Sequence, residues 1–295
     1  MIKIKAYAKI NLFLEVTGRR PDGYHDLATI FARVGICDEL SFRRSLTPGI
    51  KLVVKGGAGL GLKNQTHNLV YKAAEIFFKA FALKPAIHIT LNKKLPVGAG
   101  LGGGSSDAAS TLIGLCRLYG ISRPANAAKL RRLAAGLGSD VPFFLLESSL
   151  AVATGRGEKL IPLAARGKMP AVVIVYPGQP VYTKEAFGRL RLAQKPEIKR
   201  RLADFRGIIR DIKGGRFTPV LYGALFNRLE TAVLPVNSGV RLARARLVRA
   251  GAEMVLMSGS GAAVFGLART PGRACRIAAE IRHNRSYKVF FTKFC

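Results

Sequence analysis

The chain has 295 residues, of which 49% are hydrophobic and 22% are charged. A chain of this length buries a large core and lies near the size at which one core divides into two, so we expect a two-lobed globular protein. Lys and Arg outnumber Asp and Glu by 48 to 17, which gives a formal net charge of +31. Such a field attracts nucleotides, phosphorylated metabolites, nucleic acids and anionic membranes alike, and a solvated basic surface explains it equally well, so charge alone selects no partner.

Composition argues against a membrane protein or a secreted one. The longest apolar runs, such as residues 171–176, are far shorter than the roughly 18 residues that span a bilayer. The N-terminus lacks the apolar stretch and the cleavage site of a secretory signal, so Met1 is expected to begin the mature chain. The cysteines at 37, 116, 275 and 295 show neither metal-ligand spacing nor a disulfide framework, which fits a reducing cytoplasm.

The first half of the chain mixes strand and helix patterns. Apolar residues alternate over 2–16, which predicts a half-buried strand, and Pro21-Asp22-Gly23 predicts a turn before a second strand from about Leu27. The remaining predicted elements are strands at 39–43, 50–55, 87–91 and 149–154, and helices at 69–81, 107–119 and 126–137. Because strands and helices do not alternate regularly, an α+β fold with antiparallel pairing is expected.

The second half begins after a loop-like segment at 161–170. We place the boundary between two domains, 1–163 and 164–295, within that loop. A strand is expected from residue 171, and helices near 195–205 and 239–250 precede a glycine-rich segment at 257–266.

The strongest local signal is LPVGAGLGGGSSDAAS, residues 95–110, in which five glycines precede the helix predicted from residue 107. Glycine allows backbone N–H groups to approach an anion closely, and helix N-termini bind phosphate. Ser105 or Ser106 is the expected N-cap of this helix, and Gly120 is expected to end it in the left-handed conformation. The segment therefore predicts a polyphosphate site.

Two common nucleotide motifs are excluded. Gly98, Gly100 and Gly103 satisfy the dinucleotide fingerprint, but no Asp or Glu lies between Asp107 and Asp140 to hold a ribose. No lysine follows the last glycine before the serines, so the Walker pattern fails as well.

The glycine segment resembles the phosphate-binding loop of the GHMP kinases, the superfamily of galactokinase, homoserine kinase and mevalonate kinase. Within it, AKINLFLEVTGRRPDGYHDL (8–27), GSDVPFFL (138–145) and MSGSGAAVFG (257–266) are similar to signatures of the diphosphocytidyl-methylerythritol kinases, and YPGQPVYTKEAF (176–187) and FNRLE (226–230) occur in the same order. The resemblance covers nearly the whole chain. It implies a two-lobed α+β GHMP fold with the active site in the cleft between the lobes.

The resemblance also implies roles for individual residues. The catalytic residues of the family fall on Asp140, expected to accept the proton of the substrate hydroxyl, and on Lys9. Lys9 would hold Asp140 ionised, polarise the hydroxyl or balance charge on the phosphoryl group, and the sequence does not rank these roles. Asn11, two residues along the same strand face, is expected to assist.

The same resemblance places both substrates. Cytidine is expected near Tyr24 and His25, with Phe187 as an aromatic wall and Thr183 lining the pocket. The expected ATP-binding residues are Asn68, Lys93, Pro96, Val97, Gly98, Ala99, Gly100, Leu101, Gly102, Gly103, Gly104, Ser105 and Ser106. Mg²⁺ is expected mainly on the nucleotide phosphates, without a separate protein metal site. Gly259 and Gly261 fit either a close backbone approach to substrate or a hairpin turn.

The expected reaction is transfer of the γ-phosphoryl group of ATP to the 2-hydroxyl of 4-diphosphocytidyl-2-C-methyl-D-erythritol, in the non-mevalonate isoprenoid pathway. Another GHMP kinase, acting on homoserine or a mevalonate derivative, is the nearest alternative, and a basic nucleic-acid-binding protein is a further one. We expect a cytoplasmic monomer or homodimer with small-molecule partners, no specific nucleic acid and no membrane insertion.

Overall fold

The fold was examined in a computed structural model, which describes residues 1–57, 65–283 and 286–295. The described strands are β1 (Ile2–Arg19), β2 (His25–Arg44), β3 (Gly49–Gly56), β4 (Ala86–Lys93), β5 (Leu150–Gly155), β6 (Lys159–Pro162), β7 (Ala171–Tyr176), β8 (Phe226–Asn227), β9 (Met254–Met257), β10 (Val264–Ala268) and β11 (Lys288–Thr292). The described α-helices are α1 (Leu69–Ala80), α2 (Gly103–Tyr119), α3 (Ala127–Leu137), α4 (Thr183–Gly188), α5 (Lys195–Gly214), α6 (Pro219–Ala224), α7 (Glu230–Val233), α8 (Ser238–Arg249) and α9 (Pro271–Arg282). Two 3₁₀ turns cover Gln65–His67 and Val141–Leu145. This mixture is the predicted α+β class.

The chain forms two compact units, each built from separate stretches of sequence. The first unit comprises Met1–Ala8, Ile36–Val97 and Gly102–Glu147, and the second comprises Lys9–Gly35, Gly98–Leu101 and Ser148–Cys295. Strands β1 and β2 run through both units without interruption. The domain boundary between residues 163 and 164 stays a prediction.

The first unit packs helices against a sheet. Strand β4 pairs parallel with β3 and antiparallel with the second half of β2. Helix α2 packs against α1 and α3. Gly114 of α2 faces the ring of Phe42, which occupies the space that a Cβ would need. A glycine in the middle of a helix costs conformational stability, and here it allows the helix to lie close to the sheet.

The second unit contains a four-stranded antiparallel sheet in the order β11-β7-β10-β9. All six residues of β7, AVVIVY, are buried, and α8 and α9 pack against this sheet. In the same unit the first half of β2 pairs with β5, β5 pairs with β6, and β1 pairs parallel with the short β8. No described helix is long and apolar enough to cross a bilayer.

The prediction that β1 is half-buried is correct near its start and wrong afterwards. Burial alternates over residues 3–6, but every residue from 8 to 16 is buried, including Lys9, Asn11 and Glu15. The ring of Phe13 packs 5.2 Å from that of Phe205 in α5, so the odd-numbered face is covered as well. Polar side chains on that face are therefore held in the interior.

The predicted N-cap of the helix after the glycine segment is wrong. Helix α2 begins at Gly103, and its N-cap is Gly102, whose φ of +67° is left-handed. Ser105 and Ser106 lie inside the first turn. The predicted end is confirmed, because Gly120 is left-handed with φ of +69°. Helix α5 also runs to Gly214, well beyond the predicted residue 205.

Candidate active site

The N-terminus of α2 lies in the first unit and has the features of an anion site. Gly102 makes no side-chain capping bond, and the first turn carries no acidic residue. The first N–H groups of a helix have no intrahelical acceptor and carry the positive end of the helix dipole. The N–H of Ser106 bonds the carbonyl of Gly102 at 2.8 Å, so Gly103, Gly104 and Ser105 supply the donors. This end of the helix fits a phosphate group.

A buried ion cluster supports this helix end. The ammonium of Lys93 donates to Asp38 Oδ2 at 2.5 Å and to Asp107 Oδ2 at 2.6 Å, and all three side chains are at most 5% exposed. A Cβ added to Gly103 would lie 3.2 Å from Lys93 Nζ, so the lysine sits directly beside the first turn. An ammonium has three N–H donors, and within the described residues two of those of Lys93 are used by the carboxylates.

The two carboxylates of the cluster are not equivalent. Asp38 Oδ1 also accepts from the backbone N–H groups of Lys94 at 2.5 Å and Leu95 at 2.8 Å. Asp107 Oδ1 has no hydrogen-bond partner among the residues that the structure describes. Burial raises the pKa of Asp107 to about 7, against the opposing attraction of Lys93. Burial therefore favours the protonated form of Asp107 at pH values where an exposed aspartate is ionised.

Asp107→Asn is expected to flatten the dependence of stability on pH. The folded-state pKa of about 7 lies above the unfolded value of 3.8, so the folded protein binds the proton more tightly. The stabilisation from this group is full below the unfolded value and is lost as pH rises through about 7, with a slope of at most about 1.4 kcal/mol per pH unit. Urea denaturation of both proteins from pH 4 to 8 measures this difference. Asp211→Asn, at an exposed ion pair, is the control, and parallel profiles for wild type and Asp107→Asn would show that Asp107 is ionised throughout.

In the second unit, residues 98–101 of the glycine segment are held on both sides by backbone hydrogen bonds. The carbonyl of Gly98 accepts from Val181 at 3.0 Å, and that of Ala99 from Ala263 at 3.0 Å. The carbonyl of Leu101 accepts from the N–H of Lys9 at 2.9 Å. Gly100 has φ of +71°, and a Cβ there would overlap the Ser258 carbonyl oxygen. Only glycine fits at this position.

Lys9 heads a buried chain of hydrogen bonds. Its ammonium donates to Asn11 Oδ1 at 2.7 Å, and Asn11 Nδ2 donates to the Thr29 hydroxyl at 2.8 Å. The Thr29 hydroxyl donates in turn to the carbonyl of Phe13 at 2.6 Å. Lys9 Nζ also lies 5.2 Å from the ring centroid of Phe31. The amide of Asn11 therefore orients the lysine.

The segment FNRLE braces the glycine-rich segment at 257–266. Asn227 Nδ2 donates at 2.8 Å to the carbonyls of both Met257 and Gly259. Glu230 Oε1 accepts from the N–H of Met257 at 2.8 Å. A Cβ added to Gly259 would lie 3.2 Å from Lys9 Nζ and 3.4 Å from Asn11 Oδ1. The fold therefore brings this loop against the predicted catalytic lysine.

Arg228, in the same segment, lies in a second buried ion pair. Its Nε and one terminal nitrogen bond the carboxylate of Glu15 at 2.8 and 2.7 Å, and the same terminal nitrogen contacts Glu197 at 2.7 Å. The hydrogen bond to Glu15 and the one to Glu197 raise the pKa of Arg228 despite its burial. Glu15 is fully buried on β1, so this pair ties β1 to the chain after β8.

All four predicted cytidine residues lie in the second unit, and two of them form an aromatic pair. The rings of His25 and Phe187 stack with centroids 5.0 Å apart, which leaves no room for a third ring between them. Tyr24 is 53% exposed, with the Arg156 guanidinium 4.8 Å from its ring centroid. The Thr183 hydroxyl contacts that of Ser260 at 3.0 Å. Burial of the imidazole, with the charge of Arg19, lowers the pKa of His25 and favours its neutral form.

The other predicted residues lie in the first unit. Asp140 is half-buried and immediately precedes the 3₁₀ turn Val141–Leu145. Asn68 caps α1, since its Oδ1 accepts from the N–H of Val70 at 2.9 Å. Pro96 is buried and Val97 is 38% exposed. Within residues 1–57, 65–283 and 286–295, no group of three or more His, Cys, Asp or Glu side chains is arranged to hold a metal ion.

Sequence reasoning missed several of these polar residues. Asp107 follows the two serines of the glycine segment, and Asn227 lies in the segment FNRLE that resembles the family, so both had a usable signal. Asp38 and Thr29 had none, because each meets its partner through strand pairing and not through a local motif.

Protein-family models match segments in both halves of the chain. Residues 68–148 match the model described as GHMP kinases N terminal domain, and residues 218–286 match GHMP kinases C terminal. Solved homoserine kinase from Cytophaga hutchinsonii and mevalonate kinase from L. major share the fold, with TM-scores of 0.76 and 0.75 at 18% and 17% identity, each covering 99% of this chain and 95% of the other. The family-model matches assign this chain to the GHMP kinases.

More similar relatives narrow the class. Proteins named 4-diphosphocytidyl-2-C-methyl-D-erythritol kinase from Prosthecochloris aestuarii and Geobacter sulfurreducens are 39% and 38% identical to this chain, over 99% and 97% of it and 96% of each relative. A crystal structure of 4-(cytidine 5'-diphospho)-2C-methyl-D-erythritol kinase matches with a TM-score of 0.77 and 35% identity, covering all of both chains. The chain therefore belongs to the 4-diphosphocytidyl-2-C-methyl-D-erythritol kinase family of the GHMP kinases.

Proposed function

We propose that this protein transfers the γ-phosphoryl group of ATP to the 2-hydroxyl of 4-diphosphocytidyl-2-C-methyl-D-erythritol, giving the 2-phosphate and ADP for isoprenoid precursor synthesis. The observation that carries this proposal is 39% identity over 99% of the chain to a relative of that name. Homoserine and mevalonate kinases share the fold alone, at 18% identity or less. The cysteine pattern supports a cytoplasmic location, and we propose a monomer or homodimer.

The ATP phosphates are proposed to bind along Pro96 to Ser106. The uncapped N-terminus of α2 supports this placement, because it offers backbone donors to an anion without a competing carboxylate in the first turn. Lys93 lies beside Gly103, so it adds positive charge at this end. Asn68 is proposed to contact the nucleoside from the start of α1, which its side-chain oxygen caps.

Mg²⁺ fits this scheme as an ion carried on the nucleotide. Mg²⁺ keeps several waters and needs only one or two protein oxygens when phosphates complete its shell. When bound, it neutralises the charge that develops on the phosphates. The chain's own contribution is the set of donors at α2, which hold the phosphates in place.

Asp140 is proposed as the general base. Its carboxylate accepts the proton of the 2-hydroxyl as that oxygen bonds to the γ-phosphorus, while the bond from phosphorus to the β–γ bridging oxygen breaks and ADP leaves. Lys9 is proposed to stabilise the negative charge of the reacting groups. The bond from Lys9 Nζ to Asn11 Oδ1 supports this role, because it orients the ammonium.

Cytosine is proposed to stack on the aromatic group formed by Tyr24, His25 and Phe187. Aromatic faces bind bases for about 1–3 kcal/mol each. Because His25 and Phe187 already stack on each other, a base enters between them only if the two rings separate. Thr183 and Ser260 add hydroxyl groups in the same unit.

Competition by free nucleotides tests the acceptor site. ADP release is measured with ATP, Mg²⁺ and the diphosphocytidyl substrate while CMP, CDP, UMP or GMP is added. CMP and CDP should raise the KM for the acceptor, and the other two nucleotides should act far more weakly. Turnover of homoserine or mevalonate, without cytidine-selective inhibition, would instead support the alternative kinases.

A further inference from the structure

Helix α5 carries a row of exposed cations that the proposed phosphoryl transfer does not use. We call this row the α5 basic stripe. Its members are Lys195, Lys199, Arg206, Arg210 and Lys213, and all five are exposed. None of them forms an ion pair with any residue in the described ranges.

The stripe is straight. Its members follow one another at intervals of four, seven, four and three residues. With 3.6 residues per turn, these intervals keep all five side chains within a sector of about 60°. With a rise of 1.5 Å per residue, the stripe is about 27 Å long. One helix therefore presents a linear array of positive charge on one side.

The acidic residues of α5 lie on the other side and are already neutralised. Glu197, Asp204 and Asp211 are spaced by seven residues, so they share one face roughly opposite the stripe. Their partners are Arg228 at 2.7 Å, Arg201 at 3.4 Å and Arg216 at 2.7 Å, in that order. The charges of the helix are thus separated into an ion-paired face and an unpaired basic face. Like charges four residues apart destabilise a helix, and a bound polyanion removes that repulsion.

We propose that the α5 basic stripe binds the phosphate backbone of double-stranded nucleic acid without sequence preference. A duplex presents a dense and regular row of negative charge, which matches a rigid linear row of cations. The aromatic residue of α5, Phe205, is buried, so the stripe has no ring on which the bases of a single strand could stack. Binding of this kind is a property additional to catalysis and does not depend on the proposed reaction.

The burial of the apolar face of α5 argues against an anionic membrane as the partner. Helices that lie on membranes insert an apolar face between the lipids. The apolar face of α5, with Phe205, Ile208 and Ile212, is buried within the protein. The helix therefore has charge to offer a surface but no free apolar face to insert.

Salt-dependent binding to a labelled 20-base-pair duplex tests the proposal. Fluorescence anisotropy of the full chain is followed from 50 to 200 mM salt. Five neutralised phosphates predict a slope of about −4.5 in log K against log salt concentration. Changing all five stripe residues to Gln should make the slope shallower by about 4 and weaken binding at least tenfold at 50 mM salt.

A control variant with the same net charge separates the stripe from the overall charge. Lys3, Lys51, Lys79, Lys84 and Arg132 are exposed and lie in the first unit, and their change to Gln also lowers the formal charge of +31 by five. The control should change the slope by less than about 1. Equal losses in the two variants would overturn the proposal, because only diffuse charge would then matter.

Two further measurements fix the class of partner. Tighter binding to oligo(dT) than to the duplex would contradict a duplex site. If the five-residue variant lost binding to phosphatidylglycerol vesicles but bound the duplex as wild type does, the stripe would be a membrane site and the proposal would be contradicted.

If the five-residue variant does not fold, the double variant Arg206→Gln/Arg210→Gln is compared with Lys79→Gln/Lys84→Gln. A slope change of about 2 is expected for the first double variant alone.

Discussion

Asp140→Asn is expected to reduce kcat by about 100- to 10,000-fold, because the amide cannot accept the proton of the substrate hydroxyl. The substitution is nearly isosteric, so the 3₁₀ turn that follows Asp140 should form as before. ADP release at saturating ATP and acceptor measures kcat. The KM values should change little, since the proposed base acts in the transition state.

The control for this experiment is Glu147→Gln, an exposed carboxylate in the same unit. It makes the same change of charge and should retain full activity. Asp140→Asn with a kcat within tenfold of wild type, at matched thermal stability, would show that another group takes the proton. Positioning and charge neutralisation would then carry the reaction.

Arg228→Met is expected to destabilise the protein by about 3–5 kcal/mol, because it leaves the carboxylate of Glu15 buried without its partner. Urea denaturation at pH 7 measures the loss. Within the described residues, the hydrogen bond that Glu15 then keeps is the one from the N–H of Val16, at 2.9 Å. The second change, Glu15→Gln, removes the buried charge, so the double variant should recover most of the lost stability.

Arg216→Met provides the matched comparison. Arg216 pairs with Asp211 at 2.7 Å on the surface, where such pairs contribute about 1 kcal/mol or less. A similar loss in Arg216→Met and Arg228→Met would contradict the account of Arg228 as a buried charge that holds β1. Failure of the double variant to recover would show that packing, and not charge, explains the loss.

Local signals in the sequence predicted much of the fold. Turn residues, periodicity and glycines placed β3, β4, α1 and α3 within one or two residues of their observed bounds. Helix α9 and strand β11 were missed, although Thr270 and Pro271 form a recognisable helix start. The predicted end of α5 at residue 205 was wrong, although the apolar positions continue to Ile212 with regular helical spacing.

Tertiary contacts determine what the sequence could not show. The alternation in β1 suggested an exposed Lys9, yet strand pairing and packing bury it beside Asn11 and Thr29. The pairing of β2 with β4 brings Asp38 to Lys93, which no motif indicates. The N-cap of α2 was assigned to serine because side-chain capping is the common solution. A left-handed glycine at that position leaves the helix end free of side-chain acceptors.

The most direct test of the proposed function is ³¹P NMR of the wild-type reaction with ATP, Mg²⁺ and 4-diphosphocytidyl-2-C-methyl-D-erythritol. We expect one new phosphomonoester resonance, whose integrated intensity equals the amount of ADP formed. The diphosphate resonances of the acceptor should be retained, and the new phosphate should lie on its 2-hydroxyl. No phosphomonoester on this acceptor, with turnover of homoserine or mevalonate under the same conditions, would contradict the assignment.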